Sequence, residues 1–217
     1  MKTKNVLGKE KIINILFGHD NGSPFGTYYQ LKSLIYYQKR LMEQSELMKN
    51  INTYEKGRYP FIPSYDVDRY LSAALSTLGR TNKYSEIKSV DAGSGLGFIP
   101  FVIGSMTNFE NAYGIEIEKA YIDRAKVLFP NIPFIHQDIM EHNFESYDLI
   151  YFYHPFSSRD FQKKFEEKIA KEAKIGSVIL GNFNISTDVF MNKAFLNIDK
   201  YFHYKIKKYE ITEAAEN

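Results

Sequence analysis

The 217-residue chain contains no cysteine. This absence excludes disulfide bonds, zinc sites built from thiolates and catalysis by a thiol nucleophile. It also fits a reducing compartment, so we expect a cytoplasmic protein. No apolar run approaches the roughly 20 residues that are needed to cross a bilayer. The lysine-rich start lacks the small-residue cleavage site of a signal peptide, and we expect no association with a membrane.

Neither sign of charge dominates the composition. The formal net charge is +2 and 25% of the residues are charged, so no strong field favours nucleic acid or an anionic membrane as the partner. The length suffices for one well-buried domain with a modest extension, but not for two full domains. We expect an N-terminal helical extension over residues 1–56 and a single domain over residues 57–217.

The extension contains a predicted amphipathic helix between Gly26 and Asn50. Its apolar residues recur at helical spacing, namely Leu31, Leu34, Ile35, Leu41, Met42 and Met48. Packing against the domain or against a second subunit explains this pattern more simply than a substrate clamp does. A homodimer through this helix is therefore one arrangement that the sequence allows.

The stretch that organises the chain runs from Lys88 to Lys119. A short apolar strand ends at Ala92, and the turn Gly93-Ser94-Gly95-Leu96-Gly97 then lets the backbone approach a ligand where side chains would collide. The following helix begins at Gly97 or Phe98, and its first N–H groups point over the turn because they have no partner within the helix. The next strand ends in Glu116, about 20 residues after the turn, where a carboxylate receives the hydroxyls of a ribose. This order predicts half of a nucleoside-binding site.

Two features indicate which nucleoside is bound. Phe98 stands where a dinucleotide-binding fingerprint has its third glycine. Asp91 stands two residues before Gly93, at the carboxyl end of the strand, where a carboxylate suits a ligand with an amino group better than a pyrophosphate. Both features favour a nucleoside ligand with an amino group over a dinucleotide.

Taken together, VDAGSGLG followed by YGIEIE closely resembles motif I and the acidic motif of class I S-adenosylmethionine-dependent methyltransferases. The resemblance extends from about Tyr59 to Asn182. It implies a Rossmann-like, doubly wound and mostly parallel α/β sheet with an antiparallel C-terminal strand. It also implies S-adenosylmethionine as the cofactor, S-adenosylhomocysteine as its product, and no metal. The implied cofactor-binding residues are Asp91, Gly93, Ser94, Gly95, Gly97, Glu116, Ile117, Asp138 and Ile139.

Two later segments complete the site that this resemblance implies. Asp138 would accept from the adenine amino group, and Ile139 would cover the ring. The fourth strand ends in Tyr153-His154-Pro155-Phe156, where the methyl acceptor must approach because ligands bind beyond the carboxyl ends of the strands. This segment is similar to motif IV but lacks its Asn or Asp, which argues against methylation of adenine in nucleic acid. We assign His154 as the candidate base and Tyr153 as an orienting hydroxyl; a structural His154 is the alternative.

The rest of the chain predicts two further elements. A helix is expected from Ser158 to Ala173, with Phe161 among the side chains that point inward. A long antiparallel strand is expected from Tyr201 to Thr212, and its lysines form the charged face of an edge strand, namely Lys205, Lys207 and Lys208.

The favoured function is therefore an S-adenosylmethionine-dependent methyltransferase with a protein or small-molecule acceptor, preferably an amine. Transfer from a sulfonium depends mainly on positioning, so no conspicuous catalytic triad is required. Nucleic acid is less favoured as the acceptor because no basic patch with interleaved aromatic residues is visible. Two alternatives stay open. One is an NAD-type oxidoreductase, against which the missing third glycine argues, and the other is a non-catalytic S-adenosylmethionine-binding or scaffold protein.

Overall fold

The computed structural model describes residues 67–182, 189–198 and 201–210. Its helices are α1 (Val67–Leu78), α2 (Phe98–Met106), α3 (Lys119–Leu128) and α4 (Arg159–Glu172). Its strands are β1 (Ser89–Ala92), β2 (Ala112–Glu116), β3 (Phe134–His136), β4 (Leu149–Tyr153), β5 (Val178–Asn182), β6 (Phe195–Asn197) and β7 (Phe202–Lys205). Short 3₁₀ turns at Tyr84–Glu86 and Phe109–Asn111 precede β1 and β2.

All seven strands form one sheet in the order β3-β2-β1-β4-β5-β7-β6. Strands β1 to β5 are parallel to one another, whereas β7 is antiparallel to both β5 and β6. The chain order reverses between β1 and β4, which is where an open α/β sheet has its ligand-binding crevice. The predicted fold class is confirmed. The predicted extension, its amphipathic helix and the domain boundary after residue 56 lie outside the described residues.

Helices cover both faces of the sheet. Helices α1, α2 and α3 pack on one face, against residues such as Leu149 and Leu180. Helix α4 and the connection between β3 and β4 pack on the other face, against residues such as Ile150 and Ile179. Since successive side chains of a strand point to opposite faces, β4 carries apolar or aromatic residues at every position.

One prediction about α4 is wrong. Phe161 is 54% exposed, whereas Gln162 and Glu166 are buried. The buried stripe is therefore Gln162, Phe165, Glu166 and Ile169, which has the helical spacing i, i+3, i+4, i+7. The ring of Phe161 instead stacks on Phe156, with centroids 6.1 Å apart. The apolar pattern failed here because two polar residues occupy the buried side of the helix.

The prediction for the C-terminal strand is also partly wrong. Strand β7 ends at Lys205, and the short strand β6 covers its outer side. Lys205 is consequently buried rather than on an edge. Its Nζ donates to the carbonyl of Ala170 at 2.6 Å and to that of Lys171 at 3.2 Å, which are acceptors at the end of α4. Burial lowers the pKa of Lys205 to about 8.

Within the described ranges, no helix is both long enough and apolar enough to cross a membrane.

Candidate functional site

The turn between β1 and α2 depends on its glycines. Gly93, Gly95 and Gly97 have φ values of +87°, +53° and +81°, in the left-handed region where a side chain is strained. A Cβ on Gly97 would also collide with the ring of Phe134, and one on Gly93 would approach Pro155 Cβ to 3.3 Å. The glycines therefore allow the turn to fold and bring it against the segment that follows β4.

Most N–H groups of this turn are already bonded within the protein. Those of Gly93 and Ser94 donate to the carbonyl of Ile115 at 2.9 and 2.8 Å, and that of Gly97 donates to Ser94. The first turn of α2 has few donors left, because Pro100 has no N–H and Phe101 donates to Gly97. At the N-terminus of α2, only the N–H groups of Phe98 and Ile99 are then left to donate to a ligand. Two donors are few for a phosphate group.

Glu116 joins this turn to the end of β2. Its Oε2 accepts from Gly95 N–H at 2.9 Å, and its Oε1 accepts from the N–H groups of Ile117 and Glu118, each at 2.9 Å. The side chain is 7% exposed. A carboxylate offers about four lone-pair positions, so three donors leave one position at Oε2. Glu116 can thus receive one ribose hydroxyl without losing a bond, and a second hydroxyl would have to replace Gly95.

Asp91 lies beside Glu116 on the same face of the sheet. It pairs with Gly114, two residues before Glu116, and alternation along β2 places Gly114 and Glu116 on one side. Asp91 is only 4% exposed. Its burial, and secondarily the charge of Glu116, raise the pKa of Asp91 well above its usual value. A cation placed here would relieve both effects.

Ser94 serves the turn in a different way from the two carboxylates. A Cβ on Gly114 would lie 2.7 Å from Ser94 Oγ, so this hydroxyl points down onto β2. It is buried without a hydrogen-bond partner. The Ser94 side chain therefore packs the turn against the sheet rather than facing a ligand above it.

The predicted base-binding residues meet next to Glu116. Strand β3 pairs His136 with Glu116, and Gln137 N–H donates to the Glu116 carbonyl at 3.1 Å. Asp138 follows directly, and its Oδ1 accepts from Met140 N–H at 2.8 Å. Ile139 is 7% exposed and belongs to the core under the sheet. Ile117, by contrast, is 52% exposed. Its apolar side chain next to Glu116 is therefore available to contact a flat ring.

His136 contributes a contact that sequence reasoning missed. Its Nε2 lies 2.9 Å from the carbonyl of Ile117, so the ring donates to this carbonyl and fixes the backbone beside Glu116. A single histidine at the end of a short strand carries no pattern that would have indicated this role.

Tyr153 and His154 lie on the other side of the glycine turn from Ile117 and Asp138. We call the segment that carries Ile117 and Asp138 the base edge, because the adenine base is predicted to bind there. Tyr153 is half-buried and follows Tyr151, which pairs with Asp91, so Tyr153 shares the face of the two carboxylates. His154 is exposed, and its φ of +44° is the one positive value of a non-glycine residue in the described ranges. Non-glycine residues in this backbone conformation cluster at active sites and ligand-binding loops. Here this conformation turns the chain so that Pro155 contacts Gly93.

Two other features lie outside this site. A cavity of about 450 Å³ is lined by Met191, Asn192, Lys193, Lys207, Lys208 and Glu210. It lies near the end of β7 that pairs with the beginning of β5, at the opposite end of the sheet from the glycine turn. In the part of the chain that the structure describes, no group of three or more His, Asp or Glu side chains could hold a metal ion.

No family model and no curated protein matches the chain. Solved structures do match it. An RNA methyltransferase from Salinibacter ruber in complex with S-adenosyl-L-homocysteine is 15% identical over 65% of this chain and 97% of its own, with a TM-score of 0.45. A sugar N-methyltransferase from Streptoalloteichus is 13% identical over 58% and 52%, with a TM-score of 0.44. A TehB-like methyltransferase from Corynebacterium glutamicum is 16% identical over 52% and 62%, with a TM-score of 0.39.

The matched region covers only part of two of these similar proteins. The chain spans 53% and 62% of two of the similar proteins, from Listeria monocytogenes and Corynebacterium glutamicum. These are likenesses of fold. The sheet order agrees with the Rossmann-like fold that the motif resemblance predicts.

Proposed function

We propose that the chain is an S-adenosylmethionine-dependent methyltransferase that acts on a protein or small-molecule acceptor, preferably an amine. The observation that carries the proposal is the pair of buried carboxylates, Asp91 and Glu116, on one face of the sheet at the glycine turn. Asp91 suits a ligand ammonium. A cation would stabilise the ionised form of this carboxyl group, whose pKa is raised by burial. Glu116 suits a ribose hydroxyl through the position left at Oε2.

The remaining residues of the site fit the same cofactor. Gly93 and Gly95 leave the space above the turn free of side chains. Ile117 and Asp138 flank the position that a base would occupy beyond Glu116. When bound, S-adenosylmethionine supplies a methyl group on a sulfonium. The thioether S-adenosylhomocysteine is a good leaving group from it. The protein then has to align the acceptor and, for a protonated amine, remove a proton.

His154 is the proposed base. It is exposed at the carboxyl end of β4, and a neutral imidazole can accept a proton. Tyr153 is proposed to orient the acceptor from the face that carries Asp91 and Glu116. These roles need an acceptor amine within hydrogen-bond reach of the imidazole.

An NAD-dependent activity is less well supported. A dinucleotide places its pyrophosphate on the N-terminus of the helix after the turn. The first turn of α2 offers few N–H groups for it because of Pro100. Phe98 also fills the place of the third glycine and is only 2% exposed.

Calorimetric titration tests the cofactor. We expect S-adenosylhomocysteine to bind with a micromolar dissociation constant and NAD, under the same conditions, to show no binding. Binding of NAD alone, or of neither ligand, would contradict the proposal. A filter assay with methyl-labelled S-adenosylmethionine and a panel of amines then tests transfer. His154→Ala should lower turnover without weakening cofactor binding, whereas tight binding without transfer to any acceptor would favour the scaffold alternative.

A further inference from the structure

The connection between β3 and β4 covers part of the sheet without a helix. Residues 137–148 form turns and bends only, although their apolar side chains belong to the core on that face. This segment begins with Gln137 and Asp138, at the base edge of the proposed cofactor site. Since no helical hydrogen bonds hold it, the position of that edge depends on side-chain contacts as well as on single backbone bonds such as that from Gln137 N–H to the Glu116 carbonyl.

His142 makes the central contacts in this connection. Its Nδ1 lies 2.9 Å from Gln137 Oε1, and its Nε2 lies 3.0 Å from the hydroxyl of Tyr147. An amide oxygen only accepts, so Nδ1 must carry the proton. In the neutral ring Nε2 then accepts from the Tyr147 hydroxyl. The imidazole thus bridges the first residue of the connection to its last aromatic residue.

We infer that His142 is a positioning residue, which holds Gln137 and thereby the base-binding edge of the site. The inference rests on the proposed function. Gln137 is fixed twice, through its backbone N–H to the carbonyl of Glu116 at 3.1 Å and through its side chain to His142. Asp138 is held in turn by its bond to Met140 N–H. Without His142, Gln137 would keep its backbone contact with Glu116 but lose the hydrogen bond that orients its side chain.

The surroundings keep this bridge in its neutral form. Burial lowers the pKa of His142, and the charges of Lys168 and Lys88 act in the same direction, whereas Glu172 opposes them. The Tyr147 hydroxyl stays protonated, because burial raises its pKa to about 12. Protonation of the ring would place a second N–H against a hydroxyl that now donates. A protonated ring would therefore require the Tyr147 hydroxyl to rotate and accept instead.

The test uses two ligands that differ only in the base. S-adenosylhomocysteine carries adenine, and S-ribosylhomocysteine lacks it. Removing a side chain that makes two hydrogen bonds should weaken S-adenosylhomocysteine binding about tenfold in His142→Ala. The affinity for S-ribosylhomocysteine should change less than about twofold. His142→Asn, whose amide can donate in place of Nδ1, should recover most of the lost affinity.

His203→Asn is the matched control. His203 is a buried histidine, and its Nδ1 lies 2.9 Å from Asn197 Oδ1 at the far side of the sheet. Its replacement should leave both dissociation constants unchanged. Equal losses for both ligands in His142→Ala, or no loss for either, would overturn the inference. Wild-type protein that binds neither ligand would overturn the proposed function and the inference with it.

Discussion

The Glu116 carboxylate accepts a hydrogen bond from Gly95 N–H at 2.9 Å and so ties the end of β2 to the turn after β1. Its other oxygen accepts from Ile117 and Glu118. One side chain therefore orders the two loops between which a nucleoside would bind. It is both a proposed ligand contact and a structural acceptor for three N–H groups.

Glu116→Ala should affect both stability and binding. Three N–H groups lose their acceptor, and each lost hydrogen bond costs about 1 kcal/mol, so the melting temperature of the ligand-free protein should fall by several degrees. S-adenosylhomocysteine should bind more than tenfold more weakly. Differential scanning fluorimetry and calorimetry measure the two effects. An unchanged melting temperature would show that the contact with Gly95 does not hold the turn.

Asp91→Asn should separate the two effects. An amide removes a carboxylate that is costly to ionise next to Glu116, so the melting temperature should stay the same or rise. Binding of S-adenosylhomocysteine should weaken about tenfold or more, because an opposite charge beside the ligand ammonium is lost.

Asp148→Asn is the control for this variant. Asp148 is equally buried at 5% exposure, but it pairs with Lys174 at 2.8 Å and accepts from Lys88 N–H at the opposite end of the sheet. Its loss should lower the melting temperature and leave the affinity unchanged. If Asp91→Asn destabilised the protein as Asp148→Asn does while binding normally, Asp91 would be structural.

Binding of the cofactor should release protons at pH values below the raised pKa of Asp91. Asp91 has a raised pKa in the ligand-free protein, and a bound ammonium would lower it. The complex then holds fewer protons than its components, so affinity should increase as the pH rises towards the raised pKa of Asp91. Titration of S-adenosylhomocysteine in buffers of different ionisation enthalpy measures the proton directly. Asp91→Asn should abolish the release, and proton uptake by wild-type protein would contradict the assignment.

Local patterns predicted the part of the fold that surrounds the proposed site. Strand β1, the glycine turn, α2 and β2 follow from alternating apolar residues, glycine spacing and a terminal carboxylate within residues 88–119. Their placement needs no knowledge of distant segments. The bonds of Glu116 to the turn were not predictable, because they depend on how two loops approach each other.

Long-range packing decided the features that the sequence did not indicate. Lys205 was expected at an edge, but its acceptors lie on α4, 35 residues earlier in the chain. Strand β6 has three residues, too few for a periodic signal. On α4, the exposed Phe161 and the buried Glu166 reverse the expected order of polarity. For Lys205, the partner that decides burial is remote in sequence.

Glu166 should make stability depend on pH. Burial raises its pKa from 4.5 to about 7, although the hydrogen bond from Gln162 acts in the opposite direction. The folded protein therefore holds this proton more tightly than the unfolded chain. The resulting stability is fully present below pH 4.5 and is lost as the pH rises through 7. At about 1.4 kcal/mol per pKa unit, the loss is at most about 3.5 kcal/mol.

Urea unfolding at pH 5 and pH 8 measures this loss. Glu166→Gln carries no charge at either pH, so its free energy of unfolding should fall less between the two values than that of the wild type. Glu167→Gln, at the neighbouring and less buried position, should keep the wild-type difference. The pH range in which Glu166 affects stability is separate from that of Lys205. The lowered pKa of Lys205 affects stability between about pH 8 and 10.5. Equal pH dependence in wild type and Glu166→Gln would mean that Glu166 is charged in the folded protein at both values, with its unpartnered Oε2 satisfied by a donor such as a buried water.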